Sequence, residues 1–295
     1  MDTRVAELAR RLEETGYLCD DDLATVLFLS LEMRRPLLLE GEPGTGKTAL
    51  AESIAQTLGQ PLIRLQCYEG IDATQALYDW DFPRQILHLR ALEAASGDTR
   101  GEVAETEKSL YDERFLLARP VLAALQQSPA VLLVDEIDRA DDEFEAFLLE
   151  VLSTFQVTIP ELGTVRAATP PTVVLTSNRT RELHDALKRR CLYHWIEHPG
   201  LEREVAILRS RAPEVSADLG RQVVAVVQRL RNGEAGIDLL KPPGVAETLD
   251  WARALQHLGT VELDVETAAR TLGALVKHRD DAERVRAALD RMLSA

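Results

Sequence analysis

No apolar stretch in this chain approaches the roughly 20 residues that a membrane-crossing helix needs. The first residues, Met1-Asp2-Thr3-Arg4-Val5-Ala6-Glu7, lack the apolar centre of a secretory leader. The expectation is therefore a cytoplasmic protein without direct membrane insertion, reaching a membrane only through a partner. Cysteine is scarce. Cys19, Cys67 and Cys191 are the 3 in 295 residues, odd in number and far apart. They offer neither a disulfide framework nor a metal-spaced pair, and they suit a reducing compartment. Basic charge is in deficit: 34 Lys and Arg stand against 49 Asp and Glu, for a formal net charge of -15. A surface that tracks phosphate backbones must be basic. No basic stretch interleaved with aromatics offsets the balance, so no nucleic-acid partner is expected. His88, His184, His194 and His198 are scattered and suggest no metal site. There is no internal repeat and no low-complexity tract.

What is present is concentrated in a few places. Residues 41 to 48 read Gly41-Glu42-Pro43-Gly44-Thr45-Gly46-Lys47-Thr48, the P-loop spacing G-x-x-x-x-G-K-[ST]. Glycines let backbone N–H groups wrap a phosphate chain with no Cβ in the way. Lys47 would reach the β- and γ-phosphates, and the Thr48 hydroxyl would ligate Mg2+. Pro36-Leu37-Leu38-Leu39-Glu40 reads as a short buried strand before the loop. After it, Ala51, Ile54, Ala55 and Leu58 recur at helical spacing. That order points the positive end of a helix dipole at the anion. A glycine-rich turn with an incidental lysine is the alternative.

Asp135 and Glu136 end a second apolar run, Val131-Leu132-Leu133-Val134. Asp135 is placed to hold Mg2+, directly or through water, and Glu136 to polarise the water that attacks a γ-phosphate. Two adjacent carboxylates need compensating charge, which a metal and Lys47 would supply. Taken alone they would be solvated acids at a strand end. Asn178 follows Leu175-Thr176-Ser177; its amide can orient that water or read the γ-phosphate, or simply turn the chain. Lys188-Arg189-Arg190 is either a solvated helix end or the source of an arginine finger that forks onto the γ-phosphate of a neighbouring subunit.

Periodicity sets these residues in an α/β framework. Val5, Leu8 and Leu12 predict a helix over residues 3 to 15, and Asp20 or Asp21 can cap a second that runs to about Arg34. Strands are expected at Pro36–Glu40, Pro61–Cys67, Val131–Asp135, Thr172–Ser177 and Leu192–Ile196, alternating with helices as a parallel sheet covered on both faces requires. Residues 70 to 120 are too long for one crossover and read as an insertion with its own helices and an exposed loop at 95 to 101. Phe155 to Ala168 carries a hairpin signature. After His198-Pro199-Gly200 only helical periods remain. An α/β core at 1–199 and a small all-helical domain at 200–295 are expected.

Gly41 to Thr48, Val131 to Asp138, Asn178 and Arg189/Arg190, with the helical tail, resemble an AAA+ ATPase. The stretches Asp135-Glu136-Ile137-Asp138-Arg139-Ala140, Phe147-Leu148-Leu149-Glu150-Val151-Leu152 and Gln156-Val157-Thr158-Ile159 are similar to the MoxR family. Within it, Tyr68-Glu69-Gly70-Ile71-Asp72, Tyr78-Asp79-Trp80 and Thr176 to Leu183 resemble the CoxD type that accompanies molybdenum-containing carbon monoxide dehydrogenase. The resemblance implies a five-stranded parallel sheet, a helical lid, and a hexameric homo-oligomeric ring with ATP and Mg2+ between subunits. It also implies chaperone-like action on a client metalloenzyme with a von Willebrand A-domain partner. By position it makes Asn178 the first sensor and Arg190, with Arg189 in reserve, the finger. The family commonly has an arginine after a proline at the start of a lid helix. Here that stretch is Leu240-Lys241-Pro242-Pro243-Gly244-Val245-Ala246-Glu247, with Pro243 in the arginine's place and Lys241 nearby.

Three functions remain in view. A mechanochemical ATPase would use the insertion and the hairpin as client contacts, or these are structural decoration. A nucleotide-dependent assembly switch with low turnover would have no need of Glu136. A nucleic-acid or restriction-type NTPase conflicts with the acidic balance. No Asn-Lys-x-Asp sequence is there to read a guanine base, which counts against GTP; ATP is what the resemblance implies.

Overall fold

The protein is described by a computed structural model over residues 2–95 and 109–293. It divides into two compact units, one of Met1–Thr25, Glu40–Ser53 and His194–Ala295, the other of Val26–Leu39 and Ile54–Tyr193. The order of elements begins α1 (Thr3–Glu14), α2 (Asp21–Met33), β1 (Leu37–Gly41), α3 (Lys47–Leu58) and β2 (Leu62–Gln66). An insertion follows, with α4 (Ala73–Leu77), β3 (Tyr78–Trp80), α5 (Phe82–Ala95) and β4 (Leu116–Ala118). Next come α6 (Pro120–Gln126), β5 (Val131–Asp135), α7 (Asp142–Thr154), β6 (Gln156–Ile159), β7 (Gly163–Arg166), β8 (Thr172–Ser177), α8 (Asp185–Arg190) and β9 (Leu192–Ile196). The tail is helical: α9 (Leu201–Arg211), α10 (Ala217–Arg231), α11 (Val245–His257), α12 (Val265–Leu275) and α13 (Arg279–Leu293).

Strands β2-β5-β8-β1-β9, in that order, make the expected five-stranded parallel sheet. Composition explains the order. β1 and β5 are buried at every position, as strands covered on both faces must be. β2 lies at an edge and alternates, turning Arg64 and Gln66 outward around buried Leu65. Its register runs Leu62↔Val131 to Gln66↔Asp135, which sets Gln66 beside the end of β5. The core of this second unit joins Leu132, Val134 and Leu175 to Phe144 and Leu148 of α7 and to Val121, Leu122 and Leu125 of α6. Each buried side chain of this kind is worth roughly 1.5–3 kcal/mol. The Asp141 carboxylate accepts the Phe144 N–H at 2.9 Å and starts α7. Phe155, in left-handed backbone at φ 48, ends it.

The insertion holds more than helices. β3 pairs antiparallel with β4, Tyr78 opposite Ala118 and Trp80 opposite Leu116. Three-residue strands are too short to show a period of two, so the sequence reading missed this ribbon. From residue 96 the expected exposed loop lies outside the described residues. β6 and β7 form the expected hairpin, Gln156 opposite Arg166 and Ile159 opposite Gly163. Among the described residues no helix is long and apolar enough to cross a membrane.

In the first unit the tail helices pack around Trp251, which is fully buried, with Val223, Val227, Leu255, Leu272 and Leu289. The Trp251 indole N–H donates to Thr271 Oγ1 at 2.8 Å. Beside this apolar core lies a buried ion pair. Arg231 forks onto Glu204 at 2.6 and 2.9 Å, with side chains only 6% and 1% exposed. Thr248 Oγ1 and Gln228 Nε2 also donate to that carboxylate, at 2.7 and 2.6 Å, so the buried charge is well satisfied.

Candidate active site

Gly41 at the end of β1, the connecting residues Glu42, Pro43, Gly44, Thr45 and Gly46, and Lys47 and Thr48 at the start of α3 form the loop of the first unit. Gly44 and Gly46 take φ +79 and +94, left-handed values that glycine adopts freely. Lys47 is buried, and its Nζ folds back to donate to the Gly41 and Glu42 carbonyls at 2.8 and 2.7 Å. Thr45 Oγ1 donates to the Glu42 carbonyl at 2.9 Å. Helix α3 begins at Lys47, and its first turn carries Thr48. A glycine-lined loop with an ammonium at a helix N-terminus fits a polyphosphate chain and its cation.

Where the resemblance expects an arginine, the residue is Pro243, and the start of α11 makes a close backbone contact with the loop. Val245 N–H donates to the Gly44 carbonyl at 3.0 Å. A Cβ on Gly44 would stand 3.0 Å from Gly244 Cα, and one on Gly244 would stand 3.0 Å from the Pro43 carbonyl. Two glycines are thus required for α11 to begin against the loop. Arg231 secures the segment by donating from Nε to the Pro243 carbonyl at 2.6 Å. Lys241 is exposed, and its backbone N–H is bound to Asp281 at 3.2 Å. On the loop's other flank, His198 Nε2 meets Glu42 Oε2 at 3.1 Å. Its Nδ1 is buried without a partner among the described residues. Burial holds the His198 pKa below its ordinary value, the Arg231 charge acts the same way, and Glu42 opposes them.

The second unit gathers Asp135, Glu136 and Asn178. Asp135 is almost fully buried at the end of β5; its carboxylate accepts from Thr176 Oγ1 and from Arg64 Nη2 at 2.5 Å. Glu136 stands in left-handed backbone, φ 56 and ψ 50, a strained conformation for a non-glycine residue. Its N–H donates to Thr176 Oγ1 at 2.9 Å, so one hydroxyl ties both acids to β8. The Glu136 carboxylate takes Gln66 Nε2 at 3.2 Å and Arg139 Nε at 3.0 Å on one oxygen, and Asn178 Nδ2 at 3.4 Å on the other. Beneath this cluster, burial and the Asp135 charge push the Cys67 thiol up to about 12. That keeps it protonated and unreactive.

Sequence reasoning found the acids and the amide but not Arg64, Gln66, Arg139 or Thr176. The available signal was the alternation on β2, where polar Arg64 and Gln66 flank Leu65. Arg189 and Arg190 lie apart from these contacts, exposed in the last turn of α8. Their backbone carbonyls accept from Arg35 at 2.6 and 3.1 Å, which caps that helix end.

Comparison with known proteins identifies the family and the fold. Residues 36–191, more than half of the chain, match the family described as AAA domain (dynein-related subfamily). An uncharacterized protein of Staphylococcus saprophyticus is 25% identical over 186 residues, which cover 61% of this chain and 62% of that protein. Heat shock protein 100 of Trypanosoma brucei brucei is 30% identical over 233 residues, covering 75% of this chain and 24% of that protein. The chain thus spans less than two thirds of either relative. A point mutant of Thermotoga maritima RuvB shares the fold, with a TM-score of 0.51 at 19% identity over 92% of this chain and 74% of that one. AAA+ proteins are P-loop enzymes that use ATP and Mg2+ and generally assemble into rings. This chain belongs to the AAA domain family, dynein-related subfamily, of the AAA+ ATPases.

Proposed function

We propose that this chain hydrolyses Mg2+-ATP and spends the cycle on remodelling a client protein. Gly41, Glu42, Pro43, Gly44, Thr45, Gly46, Lys47 and Thr48 would hold the phosphates, and Thr48 and Asp135 the cation. Bound Mg2+ neutralises charge on the phosphates. Glu136 takes the proton of the attacking water and Asn178 orients that water. Arg190, or else Arg189, serves a neighbouring subunit as the finger. The observation that carries this reading is the approach of the Asn178 amide to the Glu136 carboxylate, 3.4 Å, at an acid held in strained backbone. Strained backbone of this kind clusters at active sites.

In finer terms we assign the chain to the MoxR family and its CoxD type. It would act in the cytoplasm as a hexameric ring, with a von Willebrand A-domain partner, on a client metalloenzyme such as a molybdenum hydroxylase. The α/β core, 1–199, and the lid, 200–295, would be the parts whose angle changes with nucleotide. Helix α5 supports client contact. It turns Phe82, Ile86 and Leu87 outward, 58%, 51% and 65% exposed, while polar Gln85 is buried and donates to the Leu110 carbonyl at 2.6 Å. An apolar face directed at solvent marks an interaction surface.

The test is a trap. Glu136→Gln protein, expressed in its native host and captured with ATP, is expected to retain nucleotide, lose turnover and bring down an A-domain protein or a molybdenum hydroxylase subunit. Full turnover in this variant would move the catalytic acid elsewhere. Recovery of nucleic acid, or of the protein alone, would remove the client.

A further inference from the structure

Asp138 is a third acid in the run that begins at Asp135, and the reaction described above leaves it without a part. It is 3% exposed. Its Oδ1 accepts the Asn178 N–H at 3.2 Å, and its Oδ2 accepts both the Thr180 N–H at 2.8 Å and the Thr180 hydroxyl at 2.7 Å. All three donors belong to the turn that follows β8. Between them Arg179 adopts left-handed backbone at φ 54, a conformation that persists only where the surroundings over-determine it. Asp138 supplies that constraint from one short turn, Ile137–Arg139, which starts directly after Glu136. The acid that grips the Asn178 backbone and the acid that the Asn178 amide approaches are therefore two residues apart on one piece of structure. The Asn178 Nδ2 to Glu136 Oε1 distance of 3.4 Å is near the limit of a hydrogen bond. A small displacement of the Asn178 backbone would make or break it.

We propose that Asp138 is a positioning residue: it fixes the Asn178 backbone and thereby sets the distance between the Asn178 amide and the Glu136 carboxylate. The inference rests on the reading that Glu136 and Asn178 act together on the attacking water. Its consequence is a dependence of turnover on Asp138 that passes entirely through Asn178. A merely structural acid would lower stability whatever residue stood at 178.

A double-mutant cycle in the full chain separates the two. Steady-state ATP hydrolysis, ATP affinity and the melting temperature are measured for Asp138→Asn, Asn178→Ala and the double variant. Asp138→Asn is expected to lower kcat about tenfold or more, since small misplacements are costly in catalysis, while KM for ATP stays within about twofold. On the Asn178→Ala background the same change is expected to cost less than about twofold, because what it positions is gone. Thr180→Val keeps two of the three bonds; it is expected to lower kcat by a smaller factor and carries the same cycle if Asp138→Asn does not fold. Equal factors with and without Asn178 would overturn the proposal, as would an unchanged kcat in folded Asp138→Asn protein or an effect on KM alone. Wild-type protein without ATP turnover, or Glu136→Gln protein with full turnover, would instead remove the reading beneath it and the proposal with it.

Discussion

The phosphate loop and the acid cluster are built in opposite ways. The loop is a single run of eight residues, and its lysine bonds to carbonyls only six and five positions earlier. The cluster draws Arg64 and Gln66 from β2, Asp135 and Glu136 from the end of β5, and Thr176 and Asn178 from β8 and the turn after it. Apart from Arg139, three residues from Glu136, its partners are 40 to 71 residues apart in the chain. A local site is shaped by its own backbone conformations. A dispersed site is shaped by sheet register, and its electrostatics change whenever a neighbouring strand does.

The largest test of that contrast is on function. Lys47→Ala takes the ammonium from the loop and is expected to abolish measurable ATP binding. Glu136→Gln removes the proposed base and is expected to lower turnover by about 10^2–10^4-fold while ATP still binds. Binding by fluorescent nucleotide and phosphate release, measured on the same preparations, read the two effects separately. Parallel loss of binding in both variants would erase the distinction between a holding region and a reacting one.

What the sequence made legible follows the same line. Lys47, Thr48, Asp135 and Glu136 stand in runs whose spacing carries the chemistry, and β1 and β5 are apolar at nearly every position. The β3–β4 ribbon has too few residues for any period to appear. Arg64 and Thr176 acquire their partners only through the pairing of β2 and β8 with β5, which no single run specifies. The Arg231–Glu204 pair was hidden for another reason: charged residues on amphipathic helices ordinarily face water. Yet Glu204 lies three residues after Leu201 and four before Leu208, on the inward stripe of α9.

That pair gives the next largest effect, this time on stability. Arg231→Ala would leave Glu204 buried without its cation, at a cost of about 3–5 kcal/mol in denaturant unfolding. Arg139→Ala removes a pair with Glu136 in which the side chains are 55% and 32% exposed, and is expected to cost about 0–1 kcal/mol. Equal costs would mean that the bundle is not held by its buried charge. Within the two regions, Thr176→Val and Thr45→Ala sharpen the comparison further. The Thr176 hydroxyl serves both Glu136 N–H and Asp135, so its loss should cost about 1–3 kcal/mol and lower kcat. Among the described residues Thr45 Oγ1 meets the Glu42 carbonyl alone, and its loss should cost about 0.5–1.5 kcal/mol. A larger loss of kcat in Thr45→Ala would reverse the assignment of sensitivity to the dispersed cluster.

The smallest effect concerns pH at the flank of the loop. His198 is held below its ordinary pKa by burial, with Arg231 acting in the same direction, so the folded protein carries it neutral near pH 7. At a pH between the folded value and 6.5 the unfolded chain binds more protons at this residue than the folded chain does. Stability therefore rises with pH across that window. The contribution of neutral His198 is present in full above about 6.5 and is lost as pH falls through the folded value. His198→Gln removes the titration and still offers an amide to Glu42. The melting temperature of wild type relative to this variant should be level above pH 7 and fall on acidification below 6.5. His194, whose pKa burial also lowers, is common to both proteins and cancels in the difference. A difference that stays level down to pH 5 would mean that His198 is not buried in its neutral form. The contact it makes with Glu42 would then be a charged one in open solvent, and the loop would owe its conformation to its own glycines and lysine alone.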